Sequence, residues 1–111
     1  MRIISRAKLR AFGAKHPDAE APLSAWHRNV LNADWGKPHD VRETYNSADP
    51  IGDEFVVFNI CNNDYRLVVC VDYERSIVYI WDVLTHAQYS RIDFDALAAE
   101  KRRQRKERSG H

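Results

Sequence analysis

Two apolar runs separated by a cluster of turn-formers decide the fold of this chain: Glu54-Phe55-Val56-Val57-Phe58-Asn59-Ile60-Cys61, then Asn62-Asn63-Asp64, then Tyr65-Arg66-Leu67-Val68-Val69-Cys70-Val71-Asp72-Tyr73. Both runs are rich in β-branched and aromatic residues, and Cys61 to Asp64 reads as the turn of a hairpin. Side chains alternate across a strand, so Tyr65, Leu67, Val69, Val71 and Tyr73 share one face. Arg66, Val68, Cys70 and Asp72 take the other. A third run, Ile77 to Leu84, comes after a turn at Glu74-Arg75-Ser76 and completes an antiparallel meander. Neighbouring strands of a meander run in opposite directions, which brings the end of the third run to the start of the middle one, near Tyr65 and Arg66.

Outward from the meander, Arg2-Ile3-Ile4 is a short strand, and Ser5 is placed to cap a helix carrying Leu9 and Phe12 on one face. That helix should end between Gly13 and His16. Pro17 and Asp18 open a second helix whose buried stripe is Leu23, Trp26 and Val30-Leu31. Residues 32–52 are dominated by Gly, Pro, Asn and Asp and read as a long connection. After Thr85-His86, a last helix is expected from Asp93 to Arg108, with Phe94, Leu97 and Ala98 as its apolar positions. The expected class is α+β in the order β-α-α-β-β-β-(α), with a single domain over residues 1–98 and a basic tail over 99–111.

Composition narrows the function. The longest apolar stretch, Leu67 to Val71, is five residues, against the roughly 20 needed to cross a bilayer. No long apolar secretory segment comes after Met1, so a cytoplasmic location and no membrane partner are expected. Cys61 and Cys70 have neither metal spacing nor the density of a disulfide scaffold and read as buried free thiols. The net charge of +1 is unevenly spread: residues 101–108 hold six of the 17 Lys and Arg, leaving 11 basic residues against 15 acidic ones elsewhere.

Residues able to do chemistry gather at Asn59 to Arg66 and at Thr85 to Tyr89, which the meander brings to one end of the sheet. A guanidinium beside an imidazole suits a phosphodiester, because Arg holds phosphate oxygens in a fork and His moves protons near neutral pH. Each residue also has a structural reading. His86 can cap a strand, Arg66 can pair with Asp64 or Asp82, Asn59 and Asn63 can serve the turn, and Tyr89 and Trp26 can be core aromatics. His16, His27, His39 and His111 have no spacing that would gather them on a metal, so no metal and no cofactor are assigned.

Phe58-Asn59-Ile60-Cys61-Asn62-Asn63-Asp64-Tyr65-Arg66-Leu67 resembles the FNI-x-GN-x-YRL signature of the HigB toxins, and Val83-Leu84-Thr85-His86-Ala87-Gln88-Tyr89 resembles their V-x-THAEY ending. Ile3-Ile4-Ser5, His16-Pro17-Asp18-Ala19, Leu23, Trp26 and Ala33-Asp34-Trp35 keep the same order, so the resemblance spans roughly residues 1–93. It implies a RelE-like fold, a small antiparallel sheet with two helices packed on it. It also implies a metal-independent endoribonuclease that cuts messenger RNA, generally on the ribosome. The implied partner is a HigA-type helix-turn-helix antitoxin, through which operon DNA is reached only indirectly.

Carried onto this chain, the resemblance makes His86 the acid or base and Arg66 the phosphate holder. Tyr89 would orient the phosphate or share proton transfer, with Asn59 and Asn63 positioning the RNA. The chain departs from the pattern at Asn62, Gln88 and Ser90, and it has Glu54, Asp64 and Trp81 where relatives often carry basic residues. Carboxylates there raise the negative potential around a phosphate. Lys101, Arg102, Arg103 and Arg105 would supply compensating cations for RNA. Two other readings use the same fold: a binding protein without catalysis, and a toxin that inhibits a protein target such as gyrase.

Overall fold

A computed structural model describes residues 1–52, 55–61, 64–94, 96–97 and 99–100. The three runs of the meander form β3 (Phe55–Ile60), β4 (Tyr65–Asp72) and β5 (Ile77–Thr85), paired antiparallel in sequence order. Two short strands extend them. β1 (Arg2–Ile4) runs parallel to β5, and β2 (Asp49–Ile51) runs antiparallel to β3, giving a five-stranded mixed sheet in the order β1-β5-β4-β3-β2. The α+β class expected from the sequence holds, with a wider sheet than the meander alone.

The helices α1 (Ala7–Lys15) and α2 (Pro17–Leu31) cover one face of the sheet. Pro17 opens α2 at a position whose N–H has no intrahelical partner anyway, and Asp18 and Glu20 in its first turn favour the positive end of the helix dipole. Ala19, Leu23, Trp26 and Val30, spaced by four, three and four, form its buried stripe. Leu31, expected in that stripe, is 45% exposed, because the helix ends there and the residue turns past the core. Ser5 does not cap α1 with its side chain. Its backbone is in the left-handed region (φ 73°), and its carbonyl accepts from Lys8 N at 3.3 Å.

The stretch 32–52, read as a connection, contains α3 (Pro38–Thr44) as well as β2. It carries its own buried residues, Trp35, Val41 and Ala48. Trp35 stacks on Phe58 at 6.1 Å, and its indole N–H donates to Thr44 Oγ1 at 3.1 Å. Trp26 and Tyr45 meet the same Phe58 ring edge-on, at 5.3 and 5.4 Å. Pro50 is tolerated within β2 because an edge strand leaves one row of N–H groups unpaired.

The alternation read from the sequence is the one observed. Leu67, Val69 and Val71 join the core under the helices, while Val68 and Cys70 join Phe55 and Val57 in a smaller cluster on the far face. In β5 the register slips: Val68 faces Asp82 and Val69 faces Ile80, leaving Trp81 as an extra residue. This bulge puts Tyr79, Trp81 and Leu84 on the far face while Val78, Ile80 and Val83 stay in the core. Ile92, Phe94 and Leu97 pack on the far face from the segment beyond β5. Of the helix expected from Asp93 to Arg108, residues 94, 96, 97, 99 and 100 have helical backbone. Ala98 and residues 101–108 lie outside the described residues. Among the described residues, no helix is long and apolar enough to cross a membrane.

Candidate active site at the open end of the sheet

The register brings the two polar stretches together. Tyr65 pairs with Thr85, Arg66 with both Asn59 and Leu84, and His86 N donates to Asp64 O at 3.2 Å. His86 therefore stands one residue beyond the pair that precedes Arg66, at the same end of the sheet, as expected. Asn59 and Arg66 sit directly opposite each other on the far face, where Cβ atoms of paired residues lie about 4.5–5.5 Å apart. Asn63, Lys101, Arg102, Arg103 and Arg105 lie outside the described residues.

The segment just after β5 decides where Tyr89 goes. α4 (His86–Tyr89) is a single turn held by a reciprocal pair of bonds: Thr85 Oγ1 accepts from Gln88 N at 3.2 Å, and Gln88 Oε1 accepts from Thr85 N at 3.0 Å. Glu and Gln both serve in this arrangement, so Gln88, a departure from the family pattern, keeps the turn closed. Thr-x-x-Gln is a readable sequence signal for such a turn, though not one that chemistry-bearing residue types alone reveal. The turn exposes His86 and folds Tyr89 back over the sheet.

There the Arg66 guanidinium carbon lies 5.5 Å from the centroid of the Tyr89 ring, and Arg66 Nη1 donates to Tyr65 O at 3.2 Å. A cation over an aromatic face is attracted by the ring quadrupole, which fixes the direction of the fork. Burial, helped by the Asp49 carboxylate and opposed by Arg66, pushes the Tyr89 phenol above its ordinary range. It therefore keeps its proton at neutral pH. Tyr89 is also a packing residue, 6.0 Å from Phe94, in keeping with its structural reading.

On the helix side of the same end lies a group that sequence reasoning missed. Tyr65 Oη donates to both carboxylate oxygens of Asp18, at 2.8 and 3.0 Å, and lies 3.5 Å from His16 Nδ1. His16 stacks on Phe12 at 4.4 Å, and Phe12 meets Tyr65 edge-on at 5.1 Å. The hydrogen bond to Asp18, then burial and neighbouring charge, push the Tyr65 phenol up to about 12. Pro22, inside α2, has no N–H to offer the carbonyl four residues back, that of Asp18, and Cys61 Sγ donates there at 3.7 Å.

Asp18, Cys61 and Asp64 bring ligand atoms within 4.8 Å of one another. Burial and the two carboxylates raise the Cys61 thiol above its usual value, which favours the neutral thiol that donates to the Asp18 carbonyl. Cys61 is half-buried, against the expectation of two buried thiols, because it sits in the turn with φ 54°. Cys70 is buried as expected. Trp81, on the far face, packs edge-on against Phe55 at 5.8 Å.

Comparison with known proteins places these features in a family. The chain is similar to the protein named mRNA interferase toxin HigB of Escherichia coli strain K12, with 29% identity over 91 residues, covering 80% of this chain and 88% of the relative. The mRNA interferase HigB of Shigella flexneri matches to the same extent. The family model described as the RelE-like toxic component of a toxin-antitoxin system matches residues 19–92, which include Asn59, Arg66, His86 and Tyr89. That match takes in more than half of the sequence, and the chain belongs to the HigB toxin family, the RelE-like toxic component of a toxin-antitoxin system.

Proposed function

We propose that this chain is an endoribonuclease that cuts messenger RNA by attack of a ribose 2′-hydroxyl on the adjacent phosphate. The observation that carries the reading is the Arg66 guanidinium laid over the Tyr89 ring, on the face that Asn59 shares and at the end of the sheet where His86 is exposed. The reaction needs a proton acceptor for the 2′-hydroxyl, charge stabilisation on the phosphorane, and a proton for the departing 5′-oxygen. Arg66 holds two phosphate oxygens in its fork. Tyr89, kept protonated, donates to the phosphate or to the leaving oxygen. His86, exposed at the rim, moves the proton at the other position. Asn59 positions the strand beside Arg66, and Asn63 belongs to the same proposal.

The enzyme works in the cytoplasm, on messenger RNA held by the ribosome, and is restrained by a HigA-type antitoxin. Lys101, Arg102, Arg103 and Arg105 add phosphate contacts to an otherwise acidic chain. Induced expression with mapping of RNA 5′ ends tests the reading: new ends should accumulate with the native chain, and His86→Ala should cut cleavage by about 10²–10⁴-fold. Growth arrest without new 5′ ends would instead indicate a protein target such as gyrase, and no arrest a binding protein. Deleting residues 101–111 should flatten the salt dependence of ribosome binding by about 0.7 per lost phosphate contact on single-stranded RNA.

A further inference from the structure

A polar cleft lies in the helical layer of the molecule. α1 and α2 enclose a cleft of about 380 Å³ with Leu9 and Leu23 as its apolar part and Arg6, Arg10, Ser24 and His27 as its polar part. The volume falls within the range of small-ligand sites. The helices that form it cover the face of the sheet opposite to Arg66, so the cleft is separate from the candidate active site.

Its charge is unbalanced. Arg6 and Arg10 are four residues apart, one turn along the helix, which puts two guanidinium groups side by side, where like charges repel. Glu20 also lines the cleft, yet among the described residues neither arginine has a carboxylate within ion-pairing distance. The first 17 residues hold Arg2, Arg6, Lys8, Arg10 and Lys15 and no acidic residue, in a chain whose remainder before the tail is acidic. His27 Nε2 is buried without a hydrogen-bond partner. Burial, then the fields of Arg6 and Arg10, lower the affinity of this imidazole for a proton.

We infer that the cleft binds a nucleoside phosphate, with the phosphate between Arg6 and Arg10 and the nucleoside on Leu9 and Leu23. A carboxylate offers two oxygens and satisfies one guanidinium fork, whereas a phosphate presents oxygens to two forks at once. The floor of the space left beyond a phosphate is apolar, formed by the edges of Leu9 and Leu23, which are otherwise buried in the core, with Gly13 and Ala14 beside them. Ser24 and His27 on α2 supply hydrogen bonds to the sugar or base. The occupant is either a free nucleotide or one nucleotide of an RNA strand, since both present this chemistry.

Titrating the full chain with adenosine 5′-monophosphate, inorganic phosphate, adenosine, a short 2′-O-methyl RNA and a poly-glutamate peptide, while monitoring the His27 ring and arginine Nε–H signals by NMR, tests the inference. Adenosine 5′-monophosphate or the RNA should shift these signals saturably, and more tightly than inorganic phosphate or adenosine alone. Saturation by the mononucleotide identifies a free nucleotide as sufficient, and response to the RNA alone identifies a strand. The exposed double variant Arg6→Gln/Arg10→Gln, with its fold checked by circular dichroism, should lose at least tenfold in affinity, and Arg42→Gln, an exposed arginine of α3 outside the cleft, should lose none. No shift with any phosphate-bearing probe, unchanged affinity in the double variant, inorganic phosphate binding as tightly as both the nucleotide and the RNA, or tighter binding of the peptide would each overturn it.

Discussion

The two faces of the sheet are built from the same strands and do different work. Under α1 and α2, Phe58, Leu67, Val69 and Val78 meet Trp26, Val30 and Trp35 in the larger cluster, and every side chain there is fixed by neighbours on all sides. The far face carries only Phe55, Val57, Val68 and Cys70 as fully buried residues, roofed by Phe94 and Leu97, and it ends in Asn59, Arg66 and Tyr89. One face contributes stability. The other has less packing, holds a guanidinium over a phenol ring, and carries the site proposed to take a phosphate.

Substitutions should separate the two faces, and the largest effect belongs to the packed one. Phe58→Ala removes the ring on which three aromatics converge and should cost about 3–5 kcal/mol, a large part of a small domain's total stability, lowering denaturation midpoints and abundance together. Arg66→Ala should do the reverse: RNA cleavage falls by about 10²–10³-fold, while urea unfolding moves by less than about 1 kcal/mol. If cleavage fell only in step with stability, the division of labour between the faces would be wrong.

Thr85→Ala probes the join between the faces. Losing the reciprocal cap of α4 should cost about 1 kcal/mol and lower the melting temperature by about 4 °C, with a several-fold loss of cleavage because Tyr89 is no longer held over Arg66. The smallest effect is electrostatic. The Tyr65 phenol is raised from 10.0 to about 12, so the folded state holds this proton more tightly than the unfolded state. That contribution is complete below pH 10 and fades as pH rises towards 12, and Tyr65→Phe should flatten alkaline unfolding across this window. An unchanged alkaline profile would remove the bond to Asp18 as a tie between α2 and β4.

The difference between the faces also explains which elements are legible in the sequence. Helix α2 and strands β3 and β4 are, because their apolar residues repeat at 3.6 and 2, and burial of one face enforces that period. The placement of His86 at the start of β4 comes from meander geometry alone. α3 and β2 are not legible because seven and three residues, rich in turn-formers, carry too little periodicity, and β2 exists only through its pairing with β3.

Local order along the chain thus specified the class, the two main helices, the meander and the end of the sheet where chemistry gathers. Three-dimensional packing set the rest. The bulge at Trp81 shifts the phase of β5 and brings Leu84 onto the face of Arg66, Tyr89 folds over that arginine, and Asp18 meets Tyr65 across 47 residues. Such contacts join segments whose separation no periodicity encodes, since a strand's alternation tells which residues share a face and is silent on what arrives to cover it.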